Sequence, residues 1–124
     1  MFGRKFQRSD TTKYGKRHRP GEMNQTEAAY AEMLQGRLLA GEIIRWSFET
    51  QTFKLADNCR YTPDFAIWLA DGTKEFVDVK GGGPIDDKSR VKVKVAAKEF
   101  PEYTFVIEQR LAKKHGGGWR REVF

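Results

Sequence analysis

The sequence predicts an α/β domain with a mixed central sheet flanked by helices, in the order helix, strand, hairpin, helix, strand. Three observations carry that expectation. Residues 61–81 hold two arms rich in Val, Ile, Phe and Trp joined at Asp71-Gly72, a hairpin signal. Residues 24–40 carry apolar positions at helical spacing. Tyr103–Glu108, a buried-strand run, follows the hairpin after one helix length, which favours a parallel pairing with a right-handed crossover.

Taken in order, residues 1–21 read as a basic mobile arm and residues 22–124 as one domain with a modest core. The net charge is +6, and its location decides its meaning. Residues 1–20 hold seven basic side chains (Arg4, Lys5, Arg8, Lys13, Lys16, Arg17 and Arg19) against one acid, Asp10. The rest of the chain carries 16 of each sign, so the whole excess belongs to the arm. Phe2, Phe6 and Tyr14 lie among those charges, a pattern that suits phosphate binding with ring stacking on bases; a solubilising tail has the same composition. No apolar run suggests a signal peptide or membrane span. Cys59 is the single cysteine, which excludes an intrachain disulfide and fits a reducing cytoplasm. His18 and His115 stand far apart, without zinc-ligand spacing.

Residues 24–40 form the first expected helix, closed by Gly41. Glu27, Tyr30, Ala31, Leu34 and Leu38 share one face. A carboxylate on an apolar stripe is costly unless it is partnered. Glu27 has two ways out: a capping box with Asn24, or a turn toward the acidic end of the hairpin. Residues 43–55 read as one strand or two strand pieces that pair with the hairpin and supply core, with Trp46 buried. Gly81-Gly82-Gly83-Pro84 allows close backbone approach or a flexible turn. Residues 85–100 alternate like a strand in part, but Asp86-Asp87 at the start, helix formers at 96–99 and Pro101 as a stop favour a helix. That helix groups Val93, Ala96, Ala97 and Phe100, flanked by Arg90, Lys94 and Lys98. The glycine-rich basic tail around Trp119 reads equally as a nucleic-acid clamp or as packing on the sheet.

The hairpin carries the chemistry. Asp64 follows Pro63 at the mouth of the first arm, while Asp78 and Lys80 close the second on one strand face. With the turn at 71 and 72, Asp64 faces about position 79, so two carboxylates and an ammonium converge. Two adjacent acids repel unless they share a proton or a cation. Mg²⁺ or Mn²⁺ needs only one or two protein carboxylates beside substrate phosphate, and an ammonium can orient a water or offset developing charge. A surface hairpin with an Asp–Lys cross-strand pair would carry the same residues.

Pro63-Asp64 with Asp78-Val79-Lys80 resembles the motif of the PD-(D/E)xK nuclease superfamily. The flanks, YTPDF at 61–65 and FVDVKG at 76–81, look like those of the phage endonuclease I group of Holliday-junction resolving enzymes and related small phage nucleases. The resemblance covers residues 24–110 and implies a restriction-endonuclease-like core. It implies metal-dependent hydrolysis of DNA phosphodiesters, with Glu27 joining Asp64 and Asp78 at the metal, the Val79 carbonyl as a further oxygen ligand and Lys80 positioning the attacking water. It also implies a basic second helix on the DNA backbone (Lys88, Arg90, Lys92, Lys94, Lys98), branched DNA as substrate and a homodimer in the bacterial cytoplasm. Two rival expectations stand beside it: a nuclease or nickase of linear duplex or single strands, and a non-catalytic DNA-binding accessory protein.

Overall fold

The computed structural model of the protein describes residues 21–124. The seven basic residues of the arm therefore lie outside the described residues. The first helix, α1 (Gln25–Leu39), starts at Asn24 in a full capping box: Asn24 Oδ1 accepts from the Glu27 N–H and Glu27 Oε1 from the Asn24 N–H. It ends at Ala40, after which Gly41 takes a φ of +80° and turns the chain into the sheet.

Five strands make the main sheet: β1 (Ile43–Phe48), β4 (Phe65–Leu69), β5 (Lys74–Lys80), β6 (Thr104–Arg110) and β7 (Trp119–Val123), in that spatial order. All neighbours are antiparallel except β5 and β6, which run parallel and are joined through α2 (Asp87–Glu99). Between β1 and β4 the chain makes a separate two-stranded hairpin, β2 (Phe53–Ala56) with β3 (Cys59–Tyr61), so the expected strand over 43–55 is two pieces in two sheets. The tail is the edge strand β7, reversed onto β6 by Gly116, Gly117 and Gly118, all at positive φ. Trp119 meets Tyr30 edge-on with ring centres 5.1 Å apart, so the tail packs on the sheet.

The alternation of β5 builds a core on each face. Val77 and Val79 join Tyr30 and Leu34 of α1 with Phe65, Ile67 and Val106. Phe76 joins Val93 and Ala96 of α2 with Ala66, Phe105 and Ile107, and the β2–β3 hairpin covers this side with Phe53 and Tyr61. Trp46 is only half-buried, resting on Phe65 while its Nε1 donates to Gln35. No described helix is long and apolar enough to cross a membrane.

One register decides the site. The β4–β5 pairing runs from Phe65↔Val77 to Trp68↔Lys74, one residue tighter than the expected pairing. The cause is the turn: Leu69 donates to the Thr73 carbonyl, and Asp71 Oδ1 accepts from both the N–H and the hydroxyl of Thr73. A one-residue change of register exchanges the faces that meet. Asp64 is thereby aligned with Asp78 rather than with Val79, and both carboxylates belong to the α2 side of the sheet.

Candidate functional site

The mouth of the β4–β5 hairpin holds the two acids. The Asp64 N–H donates to Asp78 Oδ1 at 3.3 Å, and the Val79 N–H donates to Asp64 Oδ2 at 2.8 Å. Each carboxylate thus fixes the backbone beside the other. Pro63 is buried and leads Asp64 out of the β2–β3 side of the chain, while Asp78 is only 7% exposed. Burial, then the charge of Asp78, pushes the Asp64 pKa up to about 8, against the Val79 N–H and the Lys80 ammonium. Burial also raises the Asp78 pKa, opposed first by Lys80 and then by Tyr61 and the Asp64 N–H.

Glu27 reaches this centre through its charge. It is 5% exposed at the start of α1, and its carboxylate raises the pKa of both Asp64 and Asp78. It also closes the capping box, the role that satisfies the side chain, and among the described residues it does not form a three-acid group with Asp64 and Asp78 that could hold a metal. Lys80, at the end of β5, favours the ionised form of both aspartates and donates to Ser89 Oγ at 3.2 Å. Glu27, Asp64, Asp78 and Lys80 are therefore drawn to one end of the sheet.

The basic residues of α2 divide. Lys88, Lys94 and Lys98 are exposed. Arg90 is paired with Glu122 of β7 at 2.6 Å, and Lys92 donates to the Arg60 carbonyl of β3 at 3.0 Å. These two side chains fasten the helix to its neighbours.

Three contributors escaped the sequence reading. The Tyr61 hydroxyl is buried against Asp78, close enough to favour its ionised form but short of good hydrogen-bond geometry; burial and the two acids drive its own pKa far above the phenol range. Its signal was an aromatic three residues before Asp64. Ser89 accepts from Lys80 while its N–H caps onto Asp86, a spacing visible as Asp-x-x-Ser. Gln109, paired with Lys80 in the parallel register, donates from Nε2 to the carbonyls of Gly81 and Gly83, and its Oε1 accepts from Arg120 at 2.9 Å. It lies just past the Tyr103–Glu108 run, between Glu108 and Arg110, and nothing in the sequence marked it.

Among the described residues no group of three or more His, Cys, Asp or Glu side chains stands arranged to hold a metal. The donor chemistry at the hairpin nonetheless fits a hard divalent ion that takes one or two carboxylates. Two acids whose ionised forms burial and mutual repulsion disfavour would be relieved by a cation between them, with Asp64 and Asp78 holding it and the Val79 carbonyl as a further oxygen.

Fold and site together define a small α/β domain, a mixed five-stranded sheet between two helices, with an interlocked carboxylate pair and a lysine at one strand end. The chain belongs to the DUF1064 family, described as a protein of unknown function, whose model matches residues 22–115. Among curated proteins and among solved structures, nothing matches.

Proposed function

We propose that this protein is a metal-dependent endonuclease of PD-(D/E)xK type, built on a restriction-endonuclease-like core, that hydrolyses DNA phosphodiester bonds. The observation that carries the reading is the pair of half-buried Asp64 and buried Asp78, interlocked through the backbone and sharing its end of the sheet with Lys80. When bound, Mg²⁺ or Mn²⁺ would polarise the phosphoryl oxygen and offset charge on the leaving oxygen. Asp64 and Asp78 hold that ion, and Glu27 adds negative charge to the same centre. Lys80, steadied by Ser89, orients the water that adds to phosphorus as the bond to the leaving oxygen breaks. Exposed Lys88, Lys94 and Lys98 on α2, with the basic arm, meet the DNA backbone. Branched DNA as the preferred substrate, a homodimer and a cytoplasmic phage setting rest on the resemblance of the hairpin flanks.

The test incubates the full chain with a four-way junction, linear duplex and single strand, in Mg²⁺ or EDTA, beside Asp64→Asn and Asp78→Asn. Mg²⁺-dependent cutting lost by a factor of about 100 or more in either variant is the expected result. Cutting of every substrate moves the preference to unbranched DNA. Tight binding with no cutting in any metal overturns the enzyme and leaves an accessory DNA-binding protein. Deleting residues 1–20 is expected to weaken binding and flatten its salt dependence.

A further inference from the structure

The closed end of the same hairpin bears a second arrangement that the carboxylate site does not use. Arg45, Trp68 and Lys74 stand in register across β1, β4 and β5. The Arg45 guanidinium lies 4.1 Å from the Trp68 ring centre and the Lys74 ammonium 4.3 Å from it. Lys74 also lies 5.0 Å from the ring centre of Phe76 and 5.7 Å from that of Tyr103, so three aromatic rings hold its head. Among the described residues neither cation has a carboxylate partner; the described ion pairs use Arg37, Lys54, Arg90 and Arg121. Desolvation and the neighbouring guanidinium lower the Lys74 pKa, as two like charges sharing one ring require.

Two cations held together by aromatic rings, without a counter-charge among the described residues, suit an anion that can accept from both. With a cation over it from each neighbouring strand, Trp68 offers no open ring for a base, so recognition here is of charge and not of sequence. Trp68 lies four positions along β4 from Asp64, roughly 13 Å at strand rise, with buried Ala66 and the covering β2–β3 hairpin between them.

We propose that Arg45 and Lys74, spaced by Trp68, form a phosphate-binding subsite for the DNA backbone, apart from the scissile phosphate at Asp64 and Asp78. The subsite rests on the nucleic-acid reading of the hairpin and adds to it the place where the flanking strand is held. It holds backbone phosphate and tolerates any base sequence.

The test measures duplex binding by fluorescence anisotropy over a salt series, in an Asp78→Asn background that does not cut. Arg45→Gln with Lys74→Gln keeps the side-chain stems over Trp68 and removes both charges. Lys113→Gln with Lys114→Gln, in the exposed turn before β7, removes the same charge elsewhere. The expected result is a roughly tenfold loss of affinity and a fall of about 1 to 2 in the salt slope for the first pair, with the second within twofold of the parent. Equal losses in both pairs, or none in the first, overturn the subsite. Should the double variant fail to melt cooperatively, exposed Arg45→Gln alone is read against Arg45→Lys: loss in the first and retention in the second supports the subsite, and parity overturns it. Cleavage by the unaltered chain is scored separately. Its absence, with binding that still depends on Arg45 and Lys74, retracts the nuclease and leaves the subsite; its presence with unchanged affinity does the reverse.

Discussion

Asp64 and Asp78 hold each other's backbone across the mouth of one hairpin: the N–H of Asp64 bonds the Asp78 carboxylate, and the Asp64 carboxylate bonds the N–H that follows Asp78. The interlock fixes two acids side by side where burial disfavours the charge of both. Stability is set against a site that calls for a cation.

That opposition has a pH signature in chelator-treated protein. The folded Asp64 pKa of about 8 stands above its ordinary 3.8, so the fold binds a proton that the unfolded chain releases first. The contribution is complete below the unfolded value and is lost as pH rises through about 8. Melting temperature should fall across that window. Asp64→Asn should flatten the fall, and Mg²⁺ should reduce it in the unaltered chain. Thermal melts from pH 4 to 9 read this; a melting point that rises with pH would contradict it.

The two tasks of Glu27 can be separated. In Glu27→Gln the amide oxygen still accepts from the Asn24 N–H, so the cap survives and stability should hold within about 0.5 kcal/mol. The charge at the hairpin is gone, and cleavage should drop by at least about tenfold. Asn24→Ala should do the opposite, costing about 1 kcal/mol at the cap with a smaller effect on cleavage. Denaturant midpoints and single-turnover rates on the two variants test the division.

Gln109 fastens the glycine turn that leaves Lys80. Gln109→Ala removes the side-chain bonds to the carbonyls of Gly81 and Gly83 and to the Arg120 guanidinium, all on exposed residues. The expected cost is about 0.5–1.5 kcal/mol. Because Lys80 loses its fixed exit, cleavage should fall further than residual folded protein accounts for, whereas Gln109→Glu, which cannot donate to those carbonyls, should resemble the alanine variant. Activity per folded molecule is the deciding measurement.

On the opposite face, Arg121 joins Glu75 at 2.5 Å and Glu108 at 3.3 Å, while the Tyr30 hydroxyl donates to Glu108. Removing Arg121 leaves two buried carboxylates without their cation, and Arg121→Ala should cost about 3–5 kcal/mol without touching the hairpin acids. Urea titration measures it, and metal-dependent cutting by the fraction still folded should be unchanged.

Much of this architecture was legible in the residues. The capping box at Asn24 and Glu27, the face shared by Tyr30 and Leu34, the hairpin at 61–81, the helix ending before Pro101 and the parallel strand after it all follow from local rules of capping, periodicity and turn chemistry. Those rules are silent on partners distant in sequence. Nothing local announces that Arg90 will be spent on Glu122, that Lys92 will hold the Arg60 carbonyl, or that the Trp119 segment will close the sheet as β7.

The sequence by itself determined the order of elements, the acids of the hairpin and the separation of charge between arm and domain, because each is a property of neighbours along the chain. Only the tertiary structure decided that Asp64 lies along Asp78. A strand's side chains alternate, so one residue of register moves a carboxylate to the other face of the sheet. The Asp71–Thr73 turn set the register locally, and the backbone bonds between the two acids, which no local pattern specifies, bring them together.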